Sequence, residues 1–407
     1  DPLPEATLLE VAGRGGVIVR DSNVVAVDTR QMLASPSSVE PARRAVAKQG
    51  GDTESDEWLG GLGLEVDRLD DSAPDTGVRS PHLFVADHPA LHRSRLARAR
   101  YLAETAALGL PIVAERPDAL EGFLDRVFIE AMENVAPERL IDQNYREMVA
   151  VNLRRAALGK HGSQAVVRRL LGQNRHRNLS PSVSVVLVTN RGDYLAHALQ
   201  AAMSQDYEDF EVIVALHGDL GEAAEQVAAS DRLTVLQFAA ETPFGEVLNR
   251  ACAAAGGDLV AKIDDDDWYG PHHISDLVLA HTHSRAQLVG KGAEFVYLAS
   301  SNKTIRRFVG GAESHSRTLA GGCLLISRAD LRDVGGWRSV ERSVDKALIE
   351  DVARAGGTVY RTHGFEYVLN RHGQGHTWDT ADRYFADQAE FTWEGLQLEV
   401  AGIYSSG

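Results

Sequence analysis

The sequence predicts an α/β protein of two domains, and three observations carry that reading. Short β-branched runs of strand length alternate with helical patterns along much of the chain. A length of 407 residues fits two domains, or three, at about 150 residues each. Near residue 180 a basic helical stretch gives way to a long apolar strand, which marks a boundary.

The first domain is expected over residues 1–143. Residues 16–19, 24–27, 82–86 and 110–114 have the length and β-branched content of buried strands. Helical patterns follow at 91–108 and 117–133, so a small parallel sheet with crossover helices is predicted. Residues 50–77, rich in Asp, Gly and Ser, are expected as a long loop or insertion. Residues 144–180 are expected as a basic helical linker, with eight Arg or Lys against one acid, Glu147. Such a stretch is either a solvated linker helix or an electrostatic contact with an anionic membrane face or polymer.

The second domain is expected over 181–385. It opens with Val183–Thr189, whose seven residues are apolar or small enough for a strand buried on both faces. A helix is expected over 194–205 and strands over 210–215 and Leu233–Phe238. A second helix over 244–255 leads into a fourth strand, Leu259–Ile263. This is a run of βαβ units with right-handed crossovers. Residues 386–407 are left as a C-terminal tail.

Composition narrows the function. Apolar residues make up 44% of the chain, enough to bury a core, so disorder throughout is excluded. The 58 acids outnumber 42 Lys and Arg, and the net charge is −16. Such a field opposes grip on a nucleic acid backbone, so no nucleic acid partner is expected. Two cysteines, Cys252 and Cys323, are too few for a disulfide framework or a Cys-based zinc site. They fit a reducing, cytoplasmic setting, at the inner face of the cell membrane if the basic segment meets lipid. No apolar run reaches the 18 residues a spanning helix needs. The chain opens on Asp1 and not on Met, which reads as a fragment or a processed product.

Chemistry concentrates after the fourth strand, in Asp264-Asp265-Asp266-Asp267-Trp268-Tyr269. Four successive carboxylates repel one another, and a cation relieves that repulsion. The carboxyl end of a parallel strand is also where open α/β sheets bind ligands. Alternation in an extended segment lets Asp264 and Asp266 face one way, as hard oxygen ligands for Mg²⁺ or Mn²⁺ with a substrate diphosphate. The plainer reading is an acidic turn capping the next helix, although one Asp suffices for a cap. A calcium loop is excluded, because Trp268 and Tyr269 fill positions that need an oxygen ligand and a glycine. An aspartyl-phosphate phosphatase is excluded by Trp268 in place of the Thr or Val its motif requires.

Several pieces occur in an order that resembles family 2 glycosyltransferases of the GT-A fold. They are Val183-Ser-Val-Val-Leu-Val-Thr-Asn-Arg191, Gln205-Asp-Tyr-Glu-Asp-Phe-Glu-Val-Ile-Val214, and the stretch from Asn249 to Asp267. Gly321-Gly-Cys-Leu-Leu-Ile-Ser-Arg328 and Val334-Gly-Gly-Trp337 complete the set. The resemblance covers residues 183–378, about half the chain. It implies a Rossmann-like nucleotide-diphospho-sugar transferase domain and inverting transfer from a nucleotide-sugar, a UDP-sugar foremost. The implied acceptor is a carbohydrate or cell-wall-type polymer, and the implied cofactor is Mn²⁺ or Mg²⁺.

Site residues follow from the resemblance position by position. Thr189, Asn190 and Arg191 would form the nucleotide loop, and Asn249, Asp265 and Gly322 would line the donor site. Asp264 would touch the ribose or the metal, Asp266 would be the principal metal ligand, and Asp267 would orient the cluster. Arg371 would pair with a phosphate, and His372 or His376 would close over the donor as a further metal ligand. Trp337 and Trp378 would stack on a sugar face or lie buried. Asp345 would be the general base, with Glu350 and Asp351 next in line. As a first-turn acid, Asp345 could equally serve the helix dipole.

Two positions depart from the family pattern. Leu216 and His217 replace the acidic pair that ends the second strand, and Val344 replaces the first acid of the pair at Asp345. These losses leave a non-catalytic nucleotide-sugar or glycan-binding module as an alternative. A sugar nucleotidylyltransferase is a further alternative, disfavoured because the loop after Thr189 has one Gly and no Lys. The first domain faintly resembles the nucleotide-binding half of a GT-B glycosyltransferase. It is expected as an accessory domain for acceptor binding or homo-oligomerisation.

Overall fold

The computed structural model describes residues 18–20, 24–26, 84–162, 180–225, 227, 230–307, 311–340, 343–372 and 382–404. The chain divides into two compact units, Asp1–Arg175 and His176–Gly407.

In the first unit, β1 (Ile18–Arg20) and β2 (Val24–Ala26) pair antiparallel. Three intervening residues are too few for the crossover a parallel pair demands, so the expected parallel arrangement does not extend to them. The parallel pair is β3 (Val85–Asp87) with β4 (Ile112–Ala114). Helix α1 (Arg95–Ala107) connects them, capped by Ser94, whose hydroxyl accepts from the Ala97 N–H. Asp125 caps α2 (Arg126–Glu133), and Asp142 caps α3 (Gln143–His161) through the Asn144 and Tyr145 N–H groups at 2.8 and 3.2 Å. Leu102, Ile112, Phe128, Ile129 and Leu153 close the core.

Helix α3 is part of that core. Tyr145, Val149, Leu153 and Ala156 repeat at helical spacing and face inward, and Arg154 is itself buried. The expected linker from residue 144 therefore starts inside the first unit, because an apolar stripe runs between its basic residues. Residues 163–179 of that segment lie outside the described residues.

The second unit has three layers around an eight-stranded sheet. Its order is β13-β15-β10-β14-β8-β5-β6-β7, with β5 (Val183–Thr189), β6 (Phe210–His217), β7 (Leu233–Phe238) and β8 (Leu259–Ile263) as the expected parallel strands. β10 (Leu288–Lys291) and β15 (Val359–Thr362) extend it in parallel with each other. β14 (Leu324–Ser327) lies between β8 and β10 and runs antiparallel to both. β13 (Ser314–His315) pairs with β15 at the edge.

Alternation along β5 fills both faces. Val183, Val185 and Leu187 pack with α4 (Gly192–Met203) and α6 (His273–Ser284). Val186 and Val188 pack with α5 (Phe244–Ala254) and α8 (Val344–Arg354) on the other side. Helix α7 (Arg328–Asp333) follows β14 directly, with Ser327 as its cap.

A second sheet, ordered β17-β12-β11-β16-β9, crosses the end of the acidic segment. It comprises β9 (Trp268–Tyr269), β11 (Phe295–Leu298), β12 (Lys303–Arg307), β16 (Tyr367–Arg371) and β17 (Ala389–Glu394). Helix α9 (Asp382–Ala386) packs on it through Phe385. Residues 389–394, expected in the tail, pair with β12 and belong to this sheet. Among the described residues no helix is long and apolar enough to cross a membrane.

Candidate active site

β5 and β8 run side by side in parallel, and their carboxyl ends bring Thr189, Arg191 and the four aspartates together. Burial alternates along the cluster: Asp265 and Asp267 are buried, and Asp264 and Asp266 are half-buried. Asp264 and Asp266 meet different cations.

Asp265 accepts from Thr189 Oγ1 at 2.5 Å and is held by the Arg191 guanidinium. Burial pushes its carboxyl above the ordinary range, against the opposing pull of Arg191 and Thr189. Asp266 Oδ2 lies 2.9 Å from Arg191 Nη1 and 2.9 Å from His372 Nε2. Burial raises the Asp266 carboxyl, but Arg191 and His372 outweigh it and hold the group below its usual range. Arg191 also stacks over Tyr194, 4.7 Å from the ring centre.

Asp267 anchors the cluster from behind. It accepts from the Tyr367 hydroxyl at 2.8 Å and the Asn370 N–H at 2.9 Å, which ties the acidic turn to β16. Burial, with Asp266 and Asp264 adding repulsion, drives this carboxyl well above the ordinary range. Tyr269 does a related job: it accepts from the Asp264 N–H at 2.8 Å and donates to Gly322 O at 2.9 Å.

Asp264 and Asp345 pack on adjacent glycines. A side chain on Gly322 would strike Tyr269 Oη at 2.8 Å and Asp264 Oδ2 at 2.9 Å, and one on Gly321 would overlap the Asp345 carboxylate. Asp345 sits in the first turn of α8, after Ser343 in the left-handed region at φ 61°. Lys262, inside β8, reaches both carboxylates: Nζ is 2.6 Å from Asp264 Oδ1 and 3.3 Å from Asp345 Oδ1. Burial raises the Asp345 carboxyl, and Lys262 opposes that rise.

Sequence reading missed Lys262. Its only signal is one charge within an apolar strand, Leu-Val-Ala-Lys-Ile.

Other expected site residues lie apart from the cluster. Both ends of the Asn249 amide are bonded to the Trp337 main chain, at 2.7 and 2.8 Å. Trp337 is buried in the core beneath α5 and α8, which removes it as a sugar platform. Arg371 is buried, with its guanidinium over Phe385 and Nε 3.5 Å from Asp382. Asn190 is exposed beside Arg191. Asp351 pairs with Arg338 at 2.6 Å on the far part of α8, and Glu350 is exposed. Leu216 is buried and His217 half-buried at the end of β6. His376 and Trp378 lie outside the described residues.

For a divalent cation the cluster offers Asp266 and His372, one oxygen and one nitrogen. Among the described residues no three His, Cys, Asp or Glu side chains come together as a ready cage. A mixed carboxylate–imidazole pair suits Mn²⁺ better than Mg²⁺, which favours an all-oxygen octahedron. Two such donors do not enclose a cation by themselves, and a substrate diphosphate would have to supply further oxygens.

Residues 184–322 match the family model Glycosyl transferase family 2. That span runs from β5 to Gly322 and includes the whole acidic cluster, so the second unit carries a glycosyltransferase domain of family 2. Among curated proteins, the chain is similar to EpsE of Bacillus subtilis, itself provisionally named a glycosyltransferase. The two are 28% identical over 177 residues, 41% of this chain and 63% of EpsE. An uncharacterised glycosyltransferase of Nostoc sp. is 26% identical over 129 residues, 30% of this chain and 39% of that protein. Among solved structures, the mannosyltransferase PcManGT from Pyrobaculum calidifontis, in complex with GDP-Man and Mn²⁺, is similar at 16% identity and a TM-score of 0.39. That match covers 48% of this chain and 58% of that one. The chain thus spans less than two thirds of the length of each of these relatives.

Proposed function

We propose that the chain transfers a sugar, with inversion, from a nucleotide-sugar to a carbohydrate or cell-wall-type polymer, with a UDP-sugar as the foremost donor. One observation carries the reading: Asp264 and Asp345 pack on neighbouring glycines at the carboxyl ends of a parallel sheet. Inverting transfer needs this pairing of a donor-side group and an acceptor-side base on one rigid floor. Asp345 takes the proton from the acceptor hydroxyl. The acceptor oxygen bonds to the anomeric carbon as the bond from that carbon to the diphosphate breaks, and the nucleoside diphosphate leaves.

Asp266 and His372 would hold the divalent cation, which when bound supplies Lewis-acid neutralisation of the leaving diphosphate. Arg191, already at Asp266, brings a second positive charge to the same side of the site. The Gly321–Gly322 pair lets the Asp345 and Asp264 carboxylates pack directly against the backbone, side by side.

The test is nucleoside diphosphate release by the full chain from a panel of UDP- and GDP-sugars with Mn²⁺. Release from at least one donor, abolished by a chelator, is expected. No release from any donor overturns the proposal.

A further inference from the structure

Lys262 is an unusual occupant of its strand. Its neighbours in β8 are Leu259, Val260, Ala261 and Ile263, all buried, and its own side chain is only 4% exposed. Moving an ammonium into such a place sacrifices most of its hydration. An apolar side chain would fill the strand without that cost.

The ammonium is spent on the site. Nζ donates to Asp264 Oδ1 at 2.6 Å and to Gly321 O at 2.8 Å, and it forms an ion pair with Asp345 Oδ1 at 3.3 Å. Burial opposes the Lys262 charge, but the two carboxylates more than offset it and hold the group above its usual range. One buried cation thus binds the donor-side carboxylate, the acceptor-side carboxylate and the glycine on which the latter packs.

We propose that Lys262 is a positioning residue for the transfer reaction, fixing the Asp345 carboxylate on Gly321 at a set distance from Asp264. The inference rests on the reading of Asp345 as the base. Lys262 acts through Asp345 and touches neither substrate.

The experiment measures kcat and donor KM of the full chain, with the donor the wild type uses from the UDP- and GDP-sugar panel. Lys262→Met should lower kcat by about tenfold to a hundredfold, the cost of misplacing a reacting group by up to an ångström. Donor KM reports on the other contact, Asp264, and should change less than kcat. Lys262→Arg, which keeps the charge, should recover most of the rate.

The deciding comparison is made in protein that already lacks the carboxylate. Lys262→Met/Asp345→Asn should turn over within about twofold of Asp345→Asn alone, the signature of two residues acting as one unit. A lysine that only stabilised the fold would lower the rate alike in both backgrounds, and that result overturns the proposal. The double variant removes one charge of each sign, so the comparison stands even if the single Met variant does not fold. Wild-type kcat in Lys262→Met also overturns it. An inactive wild type defeats the glycosyltransferase reading itself. Full activity in Asp345→Asn defeats the base assignment, and with it the role of Lys262.

Discussion

At the scale of single residues, the site separates two kinds of aspartate. Asp264, Asp266 and Asp345 reach outward to cations or toward the floor, and Asp267 holds the turn in place. Asp345→Asn keeps the size of the side chain in the first turn of α8, where Ser343 holds the N-cap position. It cannot accept a proton, so transfer should fall about 10²–10⁴-fold. Donor binding, measured by calorimetry with UDP and Mn²⁺, should survive. Near-wild-type transfer would leave Asp345 as a first-turn acid serving the helix dipole. Asp267 makes a different prediction, one of stability. Its raised carboxyl keeps a proton in the folded chain that the unfolded chain releases near pH 4. Stability from this group is therefore full below that pH and is lost as pH rises through the folded-state value. Asp267→Asn lacks the effect, so its denaturation midpoint should gain on the wild type between pH 4 and pH 7. A gap that stays constant would mean the buried carboxyl is already ionised. The aspartates were legible in the sequence because four acids in a row have few structural uses. The partner of Asp264 was not: no local pattern shows that a lysine two residues upstream points at a carboxylate from a helix far along the chain.

At the scale of elements, the first half of the second unit was legible and the second half was not. β5, β7 and β8 lie at the positions their apolar runs predict; β5 and β8 are buried on both faces, which calls for a near-continuous apolar run, while β7 is a half-buried edge strand. The second sheet escaped the reading. Its strands are short, and β17 alternates half-buried with exposed residues, so no segment stands out by itself. α3 was misjudged for the opposite reason: its charge is conspicuous and its apolar stripe is not. Asn249 shows how an element can be pinned by a residue that resembles a ligand-binding one. Its amide ties α5 to the loop that carries Trp337, and Gly336 at φ 76° leaves room for the contact. Asn249→Ala removes both bonds and should cost about 1–3 kcal/mol in chemical denaturation. The turnover of the folded variant should stay within about twofold of wild type, which a donor ligand would not allow.

At the scale of the whole molecule, each unit has a core of its own. The first is built from residues between Val85 and Ala157, and the second begins at Val183. Every described site residue belongs to the second unit. Residues 180–407 produced alone should therefore fold, with one cooperative transition by circular dichroism, and release nucleoside diphosphate within about threefold of the full chain. Failure to fold would show that the second core leans on the first. Within that unit, the position of β14 governs the order of assembly. β5, β6, β7 and β8 can pair before the rest of the sheet is made, since β6 and β7 follow their partners in sequence and β8 returns to the free edge of β5. β10 cannot join them, because its place beside β8 is separated by a strand that the chain has not yet made. Only when β14 arrives, after the strands of the second sheet that precede it, do the two halves become one sheet. The residues just before β14 are Gly321 and Gly322. The joining of the two halves of this sheet and the placing of the two glycines are thus one event in time, and a chain stalled before it exposes both open sheet edges at once.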